Sequence, residues 1–459
     1  MAAVPLALLL AGLPWACKRK SAPASAASAA PPPSGSSAAL PGPEQLSRCR
    51  KLAAPGLTIE PDAPAPGRAP ASLAQADEED EDAARLPFGV DTAAAVTLPS
   101  GFAVAGIRGA GQVFVALLGE AGSRRVDLGV VHGDVEAPAL AAAGERVLVA
   151  LRSTDAAGFT LKLGQIAAAS GGIEWGAELG KLGKLVSSVD LAAQGARGLV
   201  VLQSEDAKHS SRVLLGSFAT ADLKQPFELA PLESKDVELP RLTPRPGGYW
   251  LTWVRSLPEP KSAPKSRPPV ALAGDAGAED PEERDLLEQG LRVVEVLKLD
   301  EQGEPQGAAL RLGEPRRQLL LFDVAPSPAG GLWVAVRSDT AEPGVEGGAI
   351  LLSEILPDGS VRDERLEDDE IGAGAPLLLS DPGVQPAELW LSVSSPSDAT
   401  RLGRFRGART YLQADPLLGH SEVIAVRNGR FLTQRARGRG VELSSLECQL
   451  PVEAPPAPK

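Results

Sequence analysis

Histidine, cysteine and methionine are scarce in this chain: three, three and one among 459 residues, and aromatic residues make up only 4%. So few imidazole and sulfur ligands leave little from which to build a metal centre. His132, His209 and His420 each stand in a polar or glycine-containing stretch without a second ligand at chelating spacing, and they read as surface residues. No metal and no cofactor is expected. Positive charge is also in deficit. A formal net charge of -13 argues against a nucleic-acid partner, because a phosphate backbone must be met by a basic face. With few aromatics, a core must be filled by Val, Leu, Ile and Ala, which suits strands.

Long apolar runs are missing too. Val4 to Leu13 is too short to cross a bilayer as a helix but fits the core of a signal peptide over residues 1–16, with the small Ala16 before Cys17. The segment Leu13-Pro14-Trp15-Ala16-Cys17 resembles a bacterial lipoprotein lipobox, although Pro14 replaces the preferred leucine and no basic residue precedes the apolar core. That resemblance implies a lipid on Cys17 as mature N-terminus. Lys18, where an aspartate retains such proteins at the inner membrane, implies an outer-membrane place in the bacterial cell envelope. Cleavage elsewhere, with Cys17 incidental, is the other reading.

Residues 17–48, rich in Ser, Ala and Pro, read as a disordered tether, and 61–84, ending in the acidic run Asp77 to Asp82, as a low-complexity linker. Between them, 49–60 offers a short strand. Cys49 and Cys448 form an even pair near the two ends of the folded region, so in an oxidising compartment a disulfide is expected; two unrelated buried thiols are the alternative.

From 85 to 451 the chain consists of short apolar or alternating runs punctuated by Gly, Pro, Asp and Asn, an all-β signature. One form recurs: a turn residue, an apolar or Trp-containing strand, then Arg-Ser or a polar substitute. Arg152-Ser153, Arg255-Ser256 and Arg337-Ser338 match fully; Arg108-Gly109, Gln203-Ser204, Ser394-Ser395 and the segment ending at Gln434 match loosely. Once a Pro-rich, acidic and disordered insertion at 258–290 is removed, the period is about 50 residues, and four strands fit within it. Seven copies predict a seven-bladed β-propeller of four-stranded blades. The pattern resembles propeller-containing bacterial lipoproteins in general form. Two β-sandwich domains are the alternative. The last copy is a strand short, so Cys49 to Ile59 or Arg85 to Val90 is expected to complete it, ahead of a tail at 452–459.

No linear catalytic motif survives inspection. Gly419-His420-Ser421 lacks the final glycine of a nucleophile elbow, and Ser262 and Lys265 lie in the Pro-rich insertion. The acidic runs lack the spacing of a calcium loop. Trp250, Trp253, Trp333 and Trp390 are expected to pack between blades. The recurring arginines Arg108, Arg152, Arg255 and Arg337 would share one level of the ring, where they suggest an anion-binding set. With no catalytic residue named, the leading expectation is a non-catalytic envelope lipoprotein whose propeller binds a protein or glycan. A hydrolase or lyase with a site assembled from blade-loop carboxylates is the alternative, and a structural envelope component the third.

Overall fold

The computed structural model describes residues 48–53, 56–60 and 90–448, apart from short connecting segments and the longer ones at 258–290 and 339–348. Cys17, the tether, the 61–84 linker, the insertion, the tail, His132 and His209 lie outside the described residues.

The chain forms seven separate antiparallel sheets. Blade 1 comprises β3 (Val90–Leu98), β4 (Gly101–Arg108), β5 (Gln112–Gly119) and β6 (Gly122–Val130); blade 2, β7 (Ala139–Ala143), β8 (Arg146–Asp155), β9 (Gly158–Ala167) and β10 (Ile173–Leu179). Blade 3 comprises β11 (Leu185–Gln194), β12 (Arg197–Glu205), β13 (Ser211–Ala219) and β14 (Ala230–Pro231); blade 4, β15 (Val237–Arg245), β16 (Gly248–Leu257), β17 (Leu291–Leu299) and β18 (Leu310–Arg316). Blade 5 is β19 (Leu319–Pro326), β20 (Leu332–Ser338), β21 (Ala349–Ile355) and β22 (Val361–Leu366); blade 6 is β23 (Ala375–Asp381), β24 (Glu388–Ser394), β25 (Arg401–Arg406) and β26 (Arg409–Ala414). Blade 7 takes β27 (Glu422–Arg427), β28 (Arg430–Arg437) and β29 (Gly440–Cys448), and its outer position is filled from the N-terminus by β1 (Cys49–Lys51) and β2 (Leu57–Ile59).

The first strand of each blade contacts the first strand of the next, and β27 meets β3, so the sheets close into a seven-bladed β-propeller around a central channel. A pair of sandwiches is excluded by this closure. Each blade has neighbours on both faces, which explains why the middle strands are continuously apolar instead of alternating: β12 and β16 are buried along nearly their whole length. Outer strands such as β22 face water.

Seven hydrophobic clusters fill the seven interfaces between blades. Trp253 packs between blades 3 and 4, Trp250 between 4 and 5, Trp333 against the cluster between 5 and 6, and Trp390 between 6 and 7, as the sequence suggested. Trp390 meets Phe431 edge-on, with ring centroids 4.6 Å apart. Each such buried ring contributes on the order of 2–3 kcal/mol by removal from water. Tight second-strand entries complete the repeat: a Cβ on Gly331 would lie 2.1 Å from the Ile355 carbonyl oxygen, and one on Gly248 2.2 Å from that of Leu299.

Ring closure uses the first of the two segments considered from sequence. β1 pairs Cys49 with Cys448, and the two are joined by a disulfide that spans 399 residues of sequence. Beside it, Lys51 pairs with Glu442 at 2.8 Å. The buried Asp415 carboxylate accepts hydrogen bonds from the Arg48 and Cys49 amides (2.8 and 3.2 Å). Val90 instead begins blade 1.

Candidate active site

The four recurring arginines do occupy corresponding places near the ends of second strands, but they turn inward. Arg108 is buried and pairs with Asp127 at 3.5 Å. Buried Arg152 donates to the Val186 carbonyl of blade 3 and lies 5.6 Å from the Phe159 ring centroid. Arg255 donates to Glu295 at 2.6 Å, and Arg337 is buried within blade 5. Three of these positions are thus internal, and the fourth is held by a buried carboxylate. Glu295 itself also accepts from Trp253 Nε1 and Arg311 Nε, both at 3.0 Å, a charged knot between strands of blade 4. His420 is exposed. Among the described residues no group of three or more His, Cys, Asp or Glu is placed to hold a metal ion.

A different group of polar residues comes together on the inner strands of blades 3, 4 and 5. Asp190 (β11) and Asp323 (β19) hold equivalent blade positions, opposite Val201 and Ala335, each two residues before the recurring polar residue, Gln203 or Arg337. Each reaches the inner strand of the next blade. Asp190 Oδ2 accepts from the Leu242 amide and Asp323 Oδ2 from the Leu378 amide, both at 2.7 Å. Asp190 Oδ1 also accepts from the Leu191 amide at 2.9 Å.

Arg241, on β15 between them, is exposed and feels both carboxylates electrostatically, yet it forms no hydrogen bond or ion pair among the described residues. The surrounding protein raises the proton affinity of both acids. Burial pushes the Asp190 carboxyl up against the opposing pull of Arg241 and of the Leu242 and Leu191 amides. Asp323 is pushed up to about 6, first by burial and further by the Asp190 charge, while the Leu378 amide, Arg241 and the Val324 amide pull it down. Both residues are half-buried, and burial is the leading cause of the upward shift in each. Asp381 on β23 is a contrast. It is fully buried, its oxygens accept the Gly383, Asn428 and Gly429 amides, and it fastens blade 6 to the β27–β28 hairpin.

β15 is irregular just before Arg241. In β15, Leu239 and Pro240 together oppose the single Trp253, a bulge between the pairs Glu238–Val254 and Arg241–Thr252. Leu239 is left-handed (φ 51°) and 44% exposed, and its amide donates to the Gln203 side-chain oxygen at 3.0 Å.

Sequence reading missed Asp190, Arg241 and Asp323 because they lie far apart in the chain on inner strands, not on loops. The signal was present in the repeat: Val189-Asp190-Leu191-Ala192 and Phe322-Asp323-Val324-Ala325 place one carboxylate in the same apolar frame.

No family model matches the sequence, and no curated protein matches it significantly. Among solved structures, the chain is similar to that of polysaccharide lyase Uly1, with a TM-score of 0.53 and 10% identity over 79% of this chain and 90% of that one. It is also similar, at a TM-score of 0.44 and 10% identity, to the β-propeller domain of the Trilobed protease from Pyrococcus furiosus, over 78% of this chain and 95% of that one. A thermostable family-43 glycoside hydrolase gives a TM-score of 0.33 at 10% identity, over 60% and 91%. The lyase shares this fold over 90% of its own length, so the fold is one that also houses an enzyme, and the expectation of a non-catalytic scaffold is corrected. That expectation rested on the anchor, the stalk, the repeats and the lack of a linear catalytic motif. A propeller gathers its polar groups from separate strands and leaves none.

Proposed function

We propose that this protein is a hydrolase or lyase of polysaccharides, with its reactive centre in the channel between the inner strands of blades 3, 4 and 5. The observation that carries the reading is the pair Asp190 and Asp323, both raised in proton affinity and both within the electrostatic reach of the Arg241 guanidinium, which has no hydrogen-bond or ion-pair partner among the described residues. A carboxyl that titrates at about 6 holds a transferable proton near neutrality. Asp323 is the acid–base group that protonates the leaving glycosidic oxygen. Asp190 is the second carboxylate, and Arg241 orients an anionic or strongly polar group of the sugar chain. The polysaccharide named for the lyase neighbour supports the substrate class, and the Cys49–Cys448 bridge supports work outside a reducing cytoplasm. Export with a lipid on Cys17, placing the enzyme at the outer membrane of the envelope, fits a polymeric substrate met outside the cell.

The test is depolymerisation of a panel of neutral and uronate-containing polysaccharides, read by new reducing ends and by the ultraviolet absorbance of a new double bond. Reducing ends without absorbance indicate hydrolysis; both together indicate elimination. Asp323→Asn should lower turnover by about 10²-fold or more. An inert wild-type protein, or a fully active Asp323→Asn, would sink the assignment.

A further inference from the structure

Leu239 is costly where it stands. A residue with a Cβ is strained in the left-handed region, and a largely exposed leucine recovers little of that cost through burial. The conformation is nevertheless held from several sides. Gln203 accepts the Leu239 amide, the Asp236 amide donates to the Ser211 carbonyl, the Ser211 hydroxyl donates to the Val237 carbonyl, and the Ser256 amide donates to the Asp236 carbonyl. Asp236 is left-handed as well (φ 57°). Blade 3 therefore grips the entry of β15 and fixes its shape.

The bulge has a geometric consequence. One extra residue in a strand reverses which face every following side chain presents. Bulges also interrupt the inner strands of blades 1, 3, 5 and 7, but among the described residues the blade 4 bulge alone contains a non-glycine residue in the left-handed region. The next residue after Leu239 and Pro240 is Arg241. Gln203 also departs from the repeat, since it stands where blades 1, 2, 4 and 5 have arginine.

We infer that Gln203 is a positioning residue: by latching the Leu239 amide it locks the bulge of β15 and aims the Arg241 guanidinium between Asp190 and Asp323. The inference rests on the reading of those three residues as the reactive centre. It assigns a role to the one second-strand position in blades 1 to 5 at which the arginine is lost.

The test has a readout independent of turnover: the titration of the Asp323 carboxyl, followed by carbon NMR. Arg241→Met, which deletes the neighbouring positive charge, should raise the midpoint. Gln203→Met, which keeps the volume but removes the acceptor, should shift it in the same direction by a smaller amount and lower kcat about 10-fold, with Tm little changed. Gln203→Asn, too short to reach Leu239, serves if the methionine variant fails to fold. A midpoint that moves in Arg241→Met but stays put in both Gln203 variants overturns the latch and leaves the proposed function standing. A midpoint unmoved in Arg241→Met overturns it too, since there would be no aimed charge. Polysaccharides left intact by the wild type refute the function, while the titration still decides the latch.

Discussion

Replacing Asp323 by asparagine should make the protein more stable at neutral pH while disabling it. The asparagine is nearly isosteric, and its side-chain oxygen still accepts the Leu378 amide. What disappears is a charge that the fold disfavours. Burial lifts the carboxyl from 3.8 to about 6, which at 1.36 kcal/mol per tenfold change in proton affinity corresponds to about 3 kcal/mol between the pH extremes. The sign follows from proton counting. Between those two values the folded protein binds more protons than the unfolded chain, so this group's stabilisation is complete below 3.8 and is lost as pH rises through about 6. Two effects shrink the gain from substitution: Asp323 keeps some solvent contact, and an amide oxygen accepts a weaker hydrogen bond than a carboxylate. About 1–2 kcal/mol should remain at roughly pH 7.5, or about 2 °C in Tm for a ring of this size. Differential scanning calorimetry of both proteins from about pH 4 to pH 8 isolates the group together with its coupling to Asp190, because titrations not coupled to Asp323 are shared and cancel in the difference. The variant's advantage should be largest at the alkaline end and shrink toward zero near pH 4. A difference that is flat with pH, or that favours the wild type most strongly at the alkaline end, would refute the reasoning.

Further substitutions probe the frame. Glu295→Ala leaves Arg255 and Trp253 without their shared acceptor and should cost about 3–5 kcal/mol in denaturant unfolding, with Glu295→Gln costing less because its amide oxygen still accepts one bond. Cys49→Ser with Cys448→Ser should lower stability by about 2–4 kcal/mol. Adding Asp415→Ala, which deprives the Arg48 and Cys49 amides of their acceptor, should speed hydrogen exchange first in β1 and β29. Gly331→Ala drives a Cβ against the Ile355 carbonyl oxygen and should cost at least about 2 kcal/mol; a wild-type unfolding midpoint would show that blade 5 yields there.

The frame was legible in the sequence because it repeats. A turn residue, an apolar strand and a polar end recur with a period that fits a four-stranded blade, though spacing alone left two sandwiches open, and the pairing of Cys49 with Cys448 fits a last copy that lacks its outer strand. The arginines were visible for the same reason, but their direction was not. Spacing places Arg108 and Arg152 on one level of the ring without showing that each side chain folds back into protein, toward Asp127 or the Val186 carbonyl. The residues of the proposed centre are those where the repeat is broken or locally decorated: an aspartate in two inner strands, an arginine that follows a bulge, a glutamine in an arginine's place.

That distribution has a physical logic. Blade interfaces need the same apolar packing seven times over, so any departure from it in a buried inner strand costs stability unless something offsets the cost. Asp381 is repaid by three backbone amides at a hairpin that must be held, and its role ends there. Asp190 and Asp323 each accept backbone amides as well, and yet their proton affinities stay high, so the clamp does not offset their burial. Leu239 adds strain on β15, and at 44% exposure its burial recovers only part of it. Such costs gathered on the inner strands of blades 3 to 5, around a guanidinium that has no hydrogen-bond or ion-pair partner among the described residues, are what the proposed chemistry would account for and a purely rigid frame would not.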